Sequence, residues 1–317
     1  MATFPFFTAL YKAIVLKRKN LLLIIGAFLA IYIIWGSTYL FNKIIVQELP
    51  PFLLAGIRFV SASVLIFIFV FLTGKYKPST KKQLLNSAIA GFLFLTIGNG
   101  CAVYALQYID SGFSALLISS QPLILIFMLY FLEGKPIRTK SIIGVNLGII
   151  GIYLLVGQES IEPSLEIISG IGAIFIALLC WGYGSIFVSK ANLPKGSFVN
   201  TGYQMLFGGL MMIMISIILR EPFSSLYTVS NTAIYSMIYL ILFGSIVAFT
   251  SFNYLLLTVS PEKVATSTYV NPIVAMILGW WVLDEVISNQ SIIAAAILLT
   301  GVYFINSSKS RTLSTKK

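Results

Sequence analysis

The chain contains no histidine, only 10 acidic residues and only two cysteines in 317. Lack of histidine removes the usual metal ligand and the usual proton shuttle near neutral pH. Cys101 and Cys180 both lie in apolar stretches and read as small buried hydrophobes, with no disulfide framework and no metal-ligand spacing. Charge is scarce throughout: 10% of residues are charged and 58% hydrophobic, against roughly 25% charged in soluble domains. The sequence holds no H-E-x-x-H, no G-x-S-x-G and no acid pair inside an apolar stretch, so a membrane enzyme would lack its catalytic cluster. No cofactor and no metal are expected.

What is present are charge-free runs long enough to cross a bilayer, which takes about 17–25 residues. They extend from Lys19 to Lys43, Lys82 to Asp110, Asp110 to Glu133, Glu166 to Lys190, Lys195 to Arg220, Lys263 to Asp284 and Glu285 to Lys309. The pattern predicts an all-α integral membrane protein with ten transmembrane helices. They fall near 21–42, 52–73, 84–108, 112–132, 141–157, 168–189, 198–219, 233–257, 263–283 and 290–307. Polar Ser224, Ser225, Ser230 and Asn231 predict a loop ahead of the eighth span. Lys17-Arg18-Lys19 before an apolar run resembles a secretory signal, but the run continues to Phe41 without a small-x-small site. An uncleaved first span is expected. Residues 1–16 fit an interfacial amphipathic helix or a disordered tail equally well.

The net charge of +11 is spread over short loops, which points to membrane topology rather than nucleic acid. With a cytoplasmic N-terminus, 18 of the 21 basic residues fall in inside segments. Outside lie Lys43 and Arg220, together with acidic Glu159, Glu162 and Glu166, while Arg58 lies within a span. By the positive-inside rule both termini are then cytoplasmic.

The chain also repeats itself. At an offset of 146, Trp35-Gly36 falls on Trp181-Gly182 and Gly56 on Gly202. At an offset of 150, Tyr104 falls on Tyr254, Gln121-Pro122 on Asn271-Pro272, and Ser141-Ile142-Ile143 on Ser291-Ile292-Ile293. The expected organisation is a cytoplasmic segment 1–20, a five-helix repeat 21–157, an extracytoplasmic linker 158–167, a second repeat 168–307 and a basic tail 308–317. Five is odd, so the second copy enters from the opposite face. Inverted-topology repeats are a transporter architecture with the substrate site near the midplane.

Candidate binding residues follow from polar or aromatic groups paired across the repeat. Trp35, Ser37, Thr38 and Tyr39 in the first span, and Trp181 and Tyr183 in the sixth, would line a cavity. Small residues there also permit close helix contact, but the added rings favour lining. Pro122 and Pro272 would kink spans four and nine, setting the Gln121 and Asn271 amides beside freed carbonyls. Asn99, Tyr104, Asn253 and Tyr254 place polar groups in spans three and eight. Arg58 lies seven residues after Pro51, so its side chain can reach the outer interface. Gln204 holds its matched position. Arg58, Glu133 and Glu285 are candidates for gating or ion pairing, and Lys43 and Lys190 for interface anchors.

These marks carry a family resemblance. WGSTYL at Trp35–Leu40, the IRF of Ile57–Phe59, Pro122 with Glu133, and Asn271-Pro272 with Asp284-Glu285 resemble the ten-span drug/metabolite transporter superfamily with two EamA-type domains. The resemblance implies a multi-pass exporter or exchanger in the plasma membrane, here a bacterial inner membrane, handling small metabolites such as amino acids or their analogues. Four-span relatives carry a glutamate in span one that exchanges protons for cationic drugs. Span one here has no acid, so that mechanism does not carry over. A hydroxyl- and aromatic-rich cavity with little fixed charge favours neutral or zwitterionic substrates over phosphorylated ones. An importer of the same fold, a channel and a scaffold are the rival readings. The expected partners are a small-molecule substrate and membrane lipid, with no nucleic acid; a homodimer is left open.

Overall fold

The computed structural model describes residues 21–134, 136–137, 139–157, 164–259, 264 and 267–307. The N-terminal segment 1–20, for which a helix and a disordered tail were left open, most of the linker and the basic tail lie outside the described residues. Among those residues all regular structure is helical. In chain order the long helices are α1 Leu21–Val46, α2 Pro51–Leu72, α3 Lys81–Ala105, α4 Ser111–Glu133, α5 Thr139–Val156, α6 Leu165–Lys190, α7 Ser197–Ile218 and α8 Asn231–Leu256. α9 Ser267–Leu283 and α10 Asn289–Ser307 follow. Among the described residues α1–α8 are long and apolar enough to cross a membrane, and the apolar stretches Val270–Leu283 and Asn289–Phe304 are shorter than the spans expected there.

Local chemistry sets the helix ends. Pro51 opens α2, where its missing N–H costs nothing. Thr80 and Gln83 form a capping box at α3, and the hydroxyls of Ser164 and Ser230 cap α6 and α8. Gly134, with φ 63°, closes α4 in the left-handed conformation that glycine tolerates. Three helices carry widened π-helical stretches, Ala30–Ile34 in α1, Phe92–Asn99 in α3 and Leu240–Phe249 in α8. The last two overlap at the offset of 150 that aligns the sequence copies.

Matched helices pack on one another: α2 lies against α7 and α5 against α10. At the first seam the Ser63 hydroxyl donates to the Gly202 carbonyl at 2.9 Å. A Cβ on Gly209 would sit 2.9 Å from the Val60 nitrogen and 3.1 Å from the Gly56 carbonyl, so only small residues allow this approach. Between the seams, α1 packs on α8 and α9, and α6 on α3 and α4. Leu22, Phe71, Ile149, Ile176 and Met214 point outward from the bundle. Such an apolar exterior fits lipid rather than water. Trp280 and Trp281 are exposed at the end of α9, where an interfacial aromatic belt is expected.

Candidate substrate site

Trp35 and Trp181, the two tryptophans of the matched Trp-Gly steps, meet edge-on with ring centroids 6.1 Å apart. Phe252 lies 5.0 Å from Trp35 and Phe94 lies 5.0 Å from Trp181. Phe249 joins them at 6.5 Å from Trp35 and 6.4 Å from Phe94. Five rings from α1, α3, α6 and α8 thus occupy the space where an open cavity was expected. The contact geometry is that of favourable offset and edge-to-face pairs. Movement between helices can part these rings without breaking a covalent or ionic link.

The glycine of each Trp-Gly step touches the proline-bearing helix of the opposite half. A Cβ on Gly36 would fall 2.6 Å from the Val274 Cβ and 3.1 Å from the Asn271 carbonyl. A Cβ on Gly182 would fall 2.9 Å from the Met128 sulfur and 3.1 Å from the Gln121 Nε2. With its amide oriented to donate, Asn271 reaches the carbonyls of Ser267 at 3.2 Å, Ile31 at 2.9 Å and Tyr32 at 3.0 Å. Ile31 and Tyr32 belong to the π-helical stretch of α1, whose displaced carbonyls gain a donor there. The Gln121 Nε2, by contrast, is buried without a hydrogen-bond partner. The two prolines also differ. Pro272 sits inside α9. α4 breaks at Ser119–Ser120, and Pro122 opens its second segment instead of kinking a continuous helix.

Arg58 corrects a sequence expectation. Its side chain does not run out to the interface; the residue is only 3% exposed and faces the bundle. Nε donates to the Ser245 hydroxyl at 2.8 Å and NH1 to the Asn42 Oδ1 at 3.3 Å. The cation also sits 4.7 Å from the centroid of the Phe59 ring. Room for the guanidinium comes from Gly244, where a Cβ would stand 3.0 Å from NH2 and 2.9 Å from the Thr38 Cγ2.

The remaining candidates scatter. The Ser37 hydroxyl is 2.7 Å from the Tyr239 hydroxyl, tying α1 to α8, while Thr38 donates to the Trp35 carbonyl at 2.7 Å. Tyr39 is half-buried on α1. Tyr183 is 46% exposed on the outer face of α6, away from the rings. Tyr104 lines a lateral groove of about 400 Å³ with Phe52, Cys101 and Ser169, its hydroxyl 3.4 Å from that of Ser169. Asn99 keeps a buried Oδ1 without a partner. Asn253 is turned toward α7, donating to the Thr201 hydroxyl at 2.9 Å, and Tyr254 packs in the core beside it.

Ionic and capping contacts close both ends. Lys190 meets Glu133 at 2.6 Å, joining the ends of α6 and α4. At the opposite end the Lys43 ammonium donates to the carbonyls of Leu106 and Ile109 at 2.8 and 2.9 Å. There Glu285 accepts from the Ser111 N–H at 2.8 Å, the Ser111 hydroxyl at 2.9 Å and the Gly112 N–H at 3.2 Å, capping α4. Glu221 caps α2 in the same way through Phe52 and Leu53, and Glu48 caps α8 through Ser230. The two Ser230 hydrogen bonds hold the Glu48 carboxyl below its usual range. Partial burial, then the neighbouring Glu285, push Asp110 above it, with Lys43 pulling the other way. Sequence reasoning missed Phe94, Phe249, Phe252, Asn42, Gly244 and Ser245. With 24 phenylalanines and no recurring spacing among them, no single ring stood out.

A helical bundle with lipid-compatible walls and a central cluster of rings and polar groups defines a multi-pass membrane protein. The chain belongs to the EamA-like transporter family, whose model matches residues 21–157 and 168–307. It is thus a transporter and not an enzyme. Among its relatives is the uncharacterized inner membrane transporter YedA of Escherichia coli (strain K12), 34% identical over 299 residues, covering 93% of this chain and 94% of the relative. The uncharacterized transporter YoaV of Bacillus subtilis (strain 168) is 24% identical and covers 87% and 94%. Protein PecM of Dickeya dadantii (strain 3937) is 26% identical and covers 86% and 88%. A protein of known crystal structure aligns with a TM-score of 0.63 over 89% of this chain and 94% of its own, at 18% identity, which speaks to the fold alone.

Proposed function

We propose that the protein is a secondary transporter that exports small neutral or zwitterionic metabolites across the plasma membrane by alternating access. In this reading residues 21–157 and 168–307 are two inverted five-helix repeats, α9 and α10 complete ten spans, and both termini are cytoplasmic. The observation that carries it is the crossed contact at the centre. Each Trp-Gly step rests on the Gln-Pro or Asn-Pro helix of the other half, and Trp35 and Trp181 meet between them. Rocking the halves parts the rings and opens a midplane site to one side at a time. The loop charge asymmetry supports the orientation. Export, rather than import, rests on the family resemblance.

The test is solute counterflow in proteoliposomes, after a thermal-shift screen of amino acids, nucleobases, polyamines and cationic dyes has picked a ligand that stabilises the purified protein. A carrier gives saturable uptake stimulated by counter-substrate. Gln121→Leu and Trp181→Ala should each lower it at least about tenfold while leaving folded protein. Unsaturable flux would indicate a channel, and wild-type flux in both variants would remove this site.

A further inference from the structure

We infer that the lateral groove between α2, α3 and α6 is the seat of one zwitterionic phospholipid, with an acyl chain lying in the groove and the headgroup charges met by Glu166 and Arg220. The lipid is then a resident component at the seam of the two family-matched segments. Phe52, Cys101 and Tyr104 come from the first segment, and Ser169, Gly172 and Ile176 from the second.

The groove has room. Its volume is about 400 Å³, and a Cβ placed on Gly172 meets no atom within 4 Å. It is also preformed, because the Phe52 ring is lodged where a Cβ on Gly100 would stand only 2.8 Å from it. Ser169, Gly172, Ala173 and Ile176 recur at helical spacing, so the groove follows α6 inward from its first turns for about 10 Å. One leaflet supplies about 15 Å of hydrocarbon, and an acyl chain running down α6 fits that depth. The polar atoms in the wall call for no ligand. The Ser169 hydroxyl donates to the Glu166 carbonyl at 2.7 Å, and the Tyr104 hydroxyl lies 3.4 Å from the Ser169 oxygen. The rest of the wall is apolar, and Ile168 and Phe175 alongside are exposed. Water there finds little to bond, whereas the acyl chains around a multi-pass protein fill the space with dispersion contacts.

Charge at the outer end of the groove selects the headgroup. Glu166 is exposed in the first turn of α6, three residues before Ser169. Arg220 is exposed beside Glu221, whose carboxylate accepts from the Phe52 and Leu53 N–H groups at 3.2 and 2.8 Å. Glu221 is therefore occupied, while neither Glu166 nor Arg220 has an ion-pair partner among the described residues. One free anion and one free cation at the same end match the ammonium and the phosphate of a phosphatidylethanolamine headgroup. An anionic headgroup such as phosphatidylglycerol satisfies Arg220 but leaves Glu166 facing a like charge.

The experiment uses the full-length protein purified in detergent and stripped of co-purifying lipid. The probes are palmitoyl-oleoyl phosphatidylethanolamine and the phosphatidylglycerol with the same chains. Native mass spectrometry counts retained lipid, and thermal unfolding reads the stabilisation. Wild type should keep one phosphatidylethanolamine and unfold about 5 °C higher with it, and phosphatidylglycerol should do less. Gly172→Leu fills the groove with a side chain. It should lose the bound lipid and the gain, while unfolding no lower than wild type when both are lipid-free. Gly26→Leu, at an exposed glycine of α1 that also has open space around it, should behave as wild type. Glu166→Gln should remove the preference for ethanolamine, and Arg220→Asn should weaken both lipids a few-fold. If Gly172→Leu does not accumulate, the two charge variants decide. Equal lipid gains in wild type and Gly172→Leu, or a headgroup preference unchanged in both charge variants, overturns the inference. So does an equal gain from the two headgroups in wild type. Loss of the lipid in Gly26→Leu as well would mark a bulk bilayer effect and overturn it too.

Discussion

The contact of α1 with α9 and that of α6 with α4 are built from matched sequence yet bonded differently. On the α1 side, Gly36 meets the Asn271 carbonyl and the β-branched Val274, and the Asn271 amide, oriented to donate, reaches the carbonyls of Ile31 and Tyr32. On the α6 side, Gly182 meets the flexible end of Met128 and a Gln121 amide nitrogen that has no partner. A π-helical stretch is present in α1 but not in α6. One crossing is thus held by backbone contacts and satisfied hydrogen bonds, and the other by movable side chains with a donor still unused. On the carrier reading proposed above, the second crossing is where helices would separate at lower cost and where a ligand would meet an unused donor.

The largest separation of the two crossings is expected from their glycines. Gly36→Leu drives a side chain into backbone and a branched Cβ, and should cost about 3 kcal/mol or more. Gly182→Leu displaces only the ends of Met128 and Gln121, and should cost about 1 kcal/mol. Unfolding of purified protein in a denaturant titration measures both. Equal losses would mean that the crossings are equivalent.

The amides come next. Asn271→Leu strips a donor from the carbonyls of Ile31 and Tyr32 and should cost about 2 kcal/mol of stability, whereas Gln121→Leu removes an unpaired group and should cost little or stabilise slightly. Transport should fall in both. Stability falling with Gln121→Leu would show that its amide has a partner in another conformation.

These contrasts also mark what the sequence could disclose. The apolar runs are strong chemical signals and located the helices, and the Trp-Gly and Xaa-Pro marks singled out residues that meet at the two crossings, though as lining of a cavity and not as packed contacts. Which amide is satisfied was not legible, because Asn271 bonds to carbonyls that exist only once α1 widens. Arg58 was misjudged for a related reason. Its distance from Pro51 permits an outward reach, and only the glycine at 244 on another helix, 186 residues away, admits the inward one. Tyr183 was grouped with Trp181 by proximity in sequence, but two positions along a helix is a rotation of about 200°, which turns it to the exterior. The ring cluster draws Phe94, Phe249 and Phe252 from two helices without any motif, so composition alone hid it.

The two ends of the bundle extend the comparison on a smaller scale. Glu285 accepts three hydrogen bonds at the start of α4, so Glu285→Gln should cost about 1 kcal/mol. The Lys190 side chain is 65% exposed, and breaking its pair by Glu133→Gln should cost about 0–0.5 kcal/mol. A gate that holds the protein closed at the Lys43 end should therefore open more readily in Glu285→Gln than the other end does in Glu133→Gln. Cysteine accessibility at each end of a ligand-free variant reads this directly.

The smallest effect is a pH dependence confined to the Lys43 end. Asp110 is pushed above the ordinary carboxylate range by partial burial and by Glu285, more than Lys43 pulls it down. The folded protein therefore holds the Asp110 proton more tightly than the unfolded chain does. Stability from this group is present below the unfolded value of 3.8 and is lost as pH rises through the higher folded value. Glu48 acts in the opposite sense, because Ser230 lowers its range, so the whole-protein curve mixes the two. The difference between wild type and Asp110→Asn isolates the first. Thermal unfolding followed upward from acidic pH should show wild type losing ground to Asp110→Asn and then levelling off once the folded value is passed. Parallel curves would mean that neither burial nor Glu285 raises Asp110 in the folded protein.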